Sequence, residues 1–137
     1  METIETKFII QQAALTHKLV RKVDSQFSVH GISFAEYMVL YYLNAATQGT
    51  MRRIDLAESV GLSASGITRI IAPMHKIKLV EKRANPRDAR VSLVKLSTHG
   101  KRVLQEASDS FIHTAKTLTE NLSKKQLKSV IDLTAQL

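Results

Sequence analysis

The sequence of 137 residues contains no cysteine and no tryptophan, only two prolines and five glycines, and its aromatic residues make up 5% of the chain. Without cysteine there is no disulfide, no thiolate nucleophile, no Cys-ligated zinc and no thiol-based sensor of oxidants. Methionine is the remaining redox handle, and a weak one. An apolar run long enough to span a membrane is also missing. The start, Met1-Glu2-Thr3-Ile4-Glu5, places two acids among its first five residues, so neither a secretory signal nor a transmembrane helix is expected. A cytoplasmic protein without a membrane partner follows. The five histidines (His17, His30, His75, His99 and His113) form no i, i+4 pair, and no Cys or nearby Glu cluster joins them, which argues against a metal site. No Gly-rich phosphate loop, no nucleophile beside a base and no paired carboxylates in a loop can be found, so neither an enzyme nor a cofactor is expected. Internal repeats, low-complexity tracts and flexible linkers are lacking too.

What the chain does have is positive charge in one place. Its formal net charge is +8. Between Arg52 and Arg102 stand 12 Lys or Arg against 4 acids, Asp55, Glu58, Glu81 and Asp88, so this segment carries the whole excess and the other 86 residues sum to zero. A neutral frame bearing one basic module suits a polyanion-binding protein, because phosphates meet one face while the rest of the surface serves something else.

The frame reads as helices. From Ile4 to Phe27 the apolar residues Ile9, Ala13, Val20, Val23 and Phe27 recur at helical spacing, and Phe8, Leu15 and Leu19 widen the stripe into a broad face expected to be buried. His30 and Gly31 end this helix. Ser33 and Glu36 then form a capping box, with Ile32 and Tyr37 as hydrophobic staple, for a second helix from about Phe34 to Ala46. It is apolar nearly all round and is expected at the centre of the molecule. After the basic module, Val103, Leu104, Ala107, Phe111, Ala115, Leu118 and Leu122 make a third long stripe. A second capping box, Ser123 to Gln126, starts a last helix with Leu127, Val130, Ile131 and Leu137. Wide stripes on thin terminal helices have little in so small a chain to cover them, which points to a homodimer joined by the chain ends.

Within the basic segment, Asp55 to Val60 can form a short helix, Gly61 supplies the left-handed residue that ends it, and Ser63 caps the next. Ala57, Gly61 and Ile67 fall at the small, turn and buried positions of a DNA-binding helix-turn-helix. Ile67, Ile70, Ile71, Met74 and Ile77 form the buried stripe of the second helix, leaving Ser65, Thr68, Arg69 and Ala72 outside. Such a short, polar and basic face suits a helix that enters the major groove. Gly66 costs roughly 1 kcal/mol of helix propensity relative to Ala, understandable if a side chain there would collide with something. Pro73 should bend the helix without stopping it, since Met74 and Ile77 continue the stripe.

Val80 to Arg83 and Val91 to Leu96 alternate as strands, with the turn Asn85-Pro86-Arg87-Asp88 between them. A hairpin after a helix-turn-helix makes it winged. The loop carries Arg83, Arg87 and Arg90, and an arginine at a hairpin tip can enter a minor groove. Asp88 would be odd on a surface built only for phosphate; its better role is to hold a neighbouring arginine, Arg90, Arg83 or Arg69, by a charge-assisted bond.

The segments LAESVGLSASGITRII and LVEKRANPRDARVSLVKLSTHG resemble the MarR family of winged-helix transcription regulators, the second being similar to that family's wing signature. The resemblance implies a mostly α fold with a small β-hairpin wing, a winged helix-turn-helix at residues 33–100 flanked by helical dimerisation regions at 1–32 and 101–137. It implies a homodimer that acts as a repressor on a pseudo-palindromic double-stranded operator, the recognition helix in the major groove and Arg90 in the minor groove. A small aromatic or anionic effector would release the DNA from a crevice between dimer helices and winged module. The DNA-facing set is then Arg52, Arg53, Ser63, Ser65, Gly66, Thr68, Arg69, Arg83, Arg87, Asp88 and Arg90, and the effector pocket is assigned to His17, Tyr37, Met38 and Tyr41. Lys78 stands where the family often has Gly, implying backbone strain; Ala89 replaces a frequent Arg. The last helix ends early, at Leu137, which points to a smaller dimer interface or a shortened chain. The other reading of the same residues is an architectural or protein-docking winged helix without ligand response, in which Arg90 would be dispensable.

Overall fold

The computed structural model describes all 137 residues. Helix α1 spans Ile4–Phe27, capped by Thr3, and a single 3-10 turn, Ser28–His30, closes on Gly31 in the left-handed region. Helix α2 spans Phe34–Ala45 behind the Ser33 and Glu36 capping box. Strand β1, Thr50–Arg52, leads into α3, Arg53–Val60, and α4, Ala64–Lys76. Strands β2, Val80–Ala84, and β3, Ser92–Leu96, form the wing; α5, Thr98–Leu118, and α6, Lys124–Thr134, complete the chain.

The hairpin acquires a third strand that the alternation pattern does not show. β1 pairs antiparallel with β3, giving the order β1-β3-β2, with Met51 opposite Val94 and Lys82 opposite Val94 on the other side. Three residues are too few for a period of two to register, so β1 exists because β3 offers it a free edge. The wing base is thereby sewn to the start of α3.

Two chain reversals set the geometry of the basic module. At Gly61, φ +80°, the amide of Gly61 donates to the Ala57 carbonyl at 2.9 Å and the amide of Leu62 to the same oxygen at 2.9 Å, which ends α3 and turns the chain into α4. α4 runs through Pro73 to Lys76 and ends the same way, with the Leu79 amide donating to the Met74 carbonyl at 2.9 Å. Here the left-handed position is Lys78, φ +65°, a non-glycine residue paying about 1–2 kcal/mol of backbone strain. α5 then starts where only glycine fits, because a Cβ on Gly100 would lie 2.1 Å from the Leu79 carbonyl oxygen.

One core unites the winged module and the inner ends of the outer helices. Leu40 and Leu43 of α2, Leu56 of α3, and Ile67, Ile71 and Met74 of α4 pack with Leu79, Val80 and Val94 of the wing base. Val23 and Phe27 of α1 and Leu104 and Ala107 of α5 belong to the same cluster. The apolar stripes beyond it are largely uncovered. Val23 and Phe27 are the buried residues of α1, α6 buries none, and Ile9, Ile10, Val130 and Ile131 are exposed. The expected broad buried face of α1 is therefore corrected within a single chain, since periodicity shows which face is apolar and not what lies against it. Two smaller corrections follow from the same packing. Ile77 is exposed because it caps α4 beyond the core, and Tyr41 of α2 is 54% exposed, edge-on to Tyr42.

Candidate nucleic-acid interface

The exposed face of α4 is built from its N-cap outward. The Ser63 hydroxyl accepts the Gly66 amide at 3.1 Å and lies 3.2 Å from the Ser65 hydroxyl. The Thr68 hydroxyl donates to the Ala64 carbonyl at 3.0 Å, which fixes its rotamer and leaves its oxygen free to accept. Ser65, Thr68, Arg69 and Ala72 are all exposed, while Ile67, Ile71 and Met74 on the opposite face are buried and Ile70 is half-buried. A Cβ on Gly66 would stand 3.2 Å from the capping Ser63 oxygen and 3.5 Å from the Leu62 Cβ. The collision inferred from sequence thus lies at least partly inside the chain, with the cap that starts the helix.

The wing tip is a folded turn. The Arg87 amide donates to the Asn85 side chain at 2.9 Å, and the Asp88 amide to the Asn85 carbonyl at 3.2 Å. Asp88 grips Arg90 three times: its Oδ1 accepts the Arg90 amide at 3.0 Å and Nε at 3.2 Å, and its Oδ2 faces Nη2 at 3.4 Å. Of the three partners open to Asp88 on sequence grounds, the structure selects Arg90; Arg83 instead meets Glu81 at 2.9 Å. The side-chain bond to Arg90, followed by the backbone bond, holds the Asp88 carboxyl below its usual pKa. The Arg90 side chain is 91% exposed, so its guanidinium, held along one edge by Asp88, stands in solvent at the tip.

At the other end of the module Arg52 and Asp55 form a bidentate pair, 2.8 and 3.0 Å, across the first turn of α3. The side-chain bond raises the Arg52 pKa and lowers that of Asp55. Arg53, half-buried, and Arg69 and Arg87, exposed, take part in none of the chain's three ion pairs. The structure thus places all eleven residues of the sequence-derived set on or at the surface of α3, α4 and the wing. Sequence reasoning missed what joins wing to helix. The Ser97 hydroxyl, N-cap of α5, accepts the Gly100 amide at 2.9 Å and donates within reach of the Lys78 and Leu79 carbonyls, 2.7 and 2.9 Å. The signal was present in Ser97-Thr98-His99-Gly100, a cap three residues before a glycine.

The residues assigned to an effector pocket are not brought together around one cavity. Tyr37 is buried in an aromatic cluster with Phe27, Phe34 and Phe111, its hydroxyl 3.1 Å from that of Ser108. Met38 is half-buried, and Tyr41 and His17 are exposed. The aromatic rings fill the space between α1, α2 and α5 with their own side chains.

A helix-turn-helix followed by an antiparallel wing, with a polar recognition face and a cation held at the tip, defines a winged helix-turn-helix protein. Residues 30–91 match the MarR family profile, so the winged module of this chain is a MarR-family one, set in the MarR-family fold. The chain is 31% identical over 94 residues to the uncharacterized HTH-type transcriptional regulator YsmB of Bacillus subtilis, a match that covers 69% of this chain and 61% of that one. It spans about three-fifths of the length of the curated relatives it matches. Among solved structures it superposes on Sco3205, a MarR family transcriptional regulator from Streptomyces coelicolor in complex with DNA, with a TM-score of 0.87 at 20% identity, covering 98% of this chain and 90% of that one. A mutant MarR from E. coli complexed with operator DNA gives 0.83 at 21% identity, covering 98% of both chains. No helix is long and apolar enough to cross a membrane.

Proposed function

We propose that this chain is a sequence-specific, double-stranded DNA-binding transcriptional regulator that works as a homodimer, represses, and is released by a small aromatic or anionic ligand. The observation that carries the DNA-binding part is the pairing of two different readers on one rigid module. Ser65, Thr68 and Arg69 offer short hydroxyls and a fork of donors to a major groove, while Arg90, anchored by Asp88, stands out at the wing tip for the adjacent minor groove. The seam of Ser97, Gly100 and Leu79 ties the base of the wing to the start of α5. A docking module would have little use for an exposed guanidinium oriented along one edge by a neighbouring carboxylate. Relatives of the same fold that carry DNA in their structures support this reading.

The homodimer rests on the uncovered apolar faces of α1, α5 and α6, including Ile9, Ile10, Ile112, Val130 and Ile131. Two modules held at a fixed separation would read two half-sites, and a ligand that altered the separation would release DNA. The experiment is footprinting of the purified protein on the region upstream of its own gene, followed by a screen for compounds that abolish the footprint. A protected, two-fold symmetric site supports the proposal; indifference to DNA sequence at physiological salt refutes it.

A further inference from the structure

The start of α4 carries three hydroxyls, and much of their bonding capacity is spent inside the protein. Ser63 and Ser65 face each other at 3.2 Å, and Ser63 also holds the Gly66 amide. Thr68 gives its only proton to the Ala64 carbonyl at 3.0 Å. It therefore has no hydrogen to offer an acceptor on a base edge. Turning the oxygen onto the preceding turn directs the other branch of the side chain, the γ-methyl, away from that carbonyl.

Apolar groups flank Thr68. Ala72, exposed one turn later, adds a second methyl about 6 Å further along the helix axis. Toward α3, Thr68 borders a shallow hollow in which Ile54, Leu62, Ala64 and Ile67 join Arg53 and Glu58. Ile54 and Leu62 stand exposed there.

The residue types missing from this helix narrow what it can recognise. From Ser63 to Lys76 there is no Asn, Gln, Asp or Glu. The amides that pair with an adenine edge and the carboxylates that accept from cytosine are thus lacking, and Arg69 is the sole guanidinium, suited to guanine or phosphate. Among the features that distinguish bases in a major groove, an apolar spot complements the 5-methyl group of thymine.

We propose that Thr68, in the DNA-binding role proposed above and on which this rests, is a specificity-determining residue: its γ-methyl reads the 5-methyl group of a thymine in the major groove. Its oxygen serves the helix, and Ala72 extends the apolar surface beside it.

The test takes the DNA site that the protein protects and replaces its thymines one at a time by deoxyuridine, which removes only the methyl group. Affinities are read by fluorescence anisotropy. For the unaltered protein, one position in each half-site should lose about fourfold in affinity, the effect of leaving one methyl group in water. T68S keeps the hydroxyl and removes the γ-methyl, so the penalty at that position should vanish. T68V keeps the γ-methyl and removes the oxygen, so the penalty should remain. Thr68 is exposed, and both variants should fold. A penalty that survives in T68S would mean that another group reads the methyl, and one that disappears in T68V would give the reading to the oxygen; either overturns the assignment. Indifference of the unaltered protein to deoxyuridine at every position overturns it as well. Protection of DNA without any response to the methyl refutes this inference alone, whereas failure to protect any DNA refutes the reading beneath it and takes this one with it.

Discussion

Replacing Asp88 by Asn sets two physical effects against each other. On charge alone, Asp88→Asn removes an anion from a surface that meets phosphates, so each chain gains one unit of positive charge and DNA affinity should rise, most at low salt. On geometry, the carboxylate makes three contacts to Arg90, to its amide and two guanidinium nitrogens, and an amide side chain cannot replace the charge-assisted pair. An Arg90 side chain that is 91% exposed has nothing else to hold it. Immobilising one long side chain on binding weakens affinity by roughly 3- to 10-fold per copy, a cost that the pair has already met in the free protein. The expected result is that D88N weakens operator binding about 3- to 10-fold per wing at physiological salt. Arg90→Ala, which removes the head group itself, should weaken it more, at least tenfold. Neither should move the melting temperature by more than about 2 °C, because both groups lie at an exposed tip. Fluorescence anisotropy on the footprinted operator, at two salt concentrations with calorimetric melting as control, measures all three quantities. Tighter binding by D88N would show that Asp88 is only a stray negative charge, and the wing argument would fall.

Three further outcomes follow from the same structure. Gly100→Ala should cost more than about 3 kcal/mol in urea unfolding, because the Cβ would meet the Leu79 carbonyl at 2.1 Å and that oxygen also accepts from Ser97; a loss below 1 kcal/mol would mean that the wing seam is soft. Lys78→Gly should stabilise the fold by about 0.5–1 kcal/mol by relieving the left-handed lysine at φ +65°, and a destabilised variant would contradict that reading of the turn. The carboxyl pKa values of Asp88 and Asp55 are lowered in the fold, so their pairs contribute fully above the usual carboxylate value and are lost as pH falls through the depressed ones. The side-chain carboxyl carbon NMR shifts of Asp88 and Asp55 should therefore be unchanged from about pH 8 to 5 and move only below about pH 4; a titration step nearer neutrality would refute the pairing.

Much of this molecule could be read one element at a time. Both ends of α1, the caps Ser33, Ser63 and Ser123, the turn at Gly61 and the hairpin at Asn85 to Asp88 are local patterns, decided by side chains within four residues of the backbone they serve. The exposed face of α4 belongs with them, since the helical period sorts polar from apolar without reference to any partner; the strained backbone at Lys78 was implied only by the family resemblance. Asp88 was narrowed to three arginines, and a two-residue reach within the turn selected Arg90.

What only tertiary structure decided depends on residues far apart along the chain. β1 has no pattern of its own and forms because β3, more than 40 residues later, presents an edge. Gly100 is obligatory because Leu79 passes 2.1 Å from where its Cβ would be. Lys18, Arg21 and Lys22 share a groove with His113 and Thr117 only because α1 and α5 pack together, and the proposed effector residues His17, Tyr37, Met38 and Tyr41 do not, because the helix that carries the last three turns Tyr37 inward and Tyr41 out. Periodicity specifies the face of each helix; the rotation and distance that make two faces into one site come from packing the shared core.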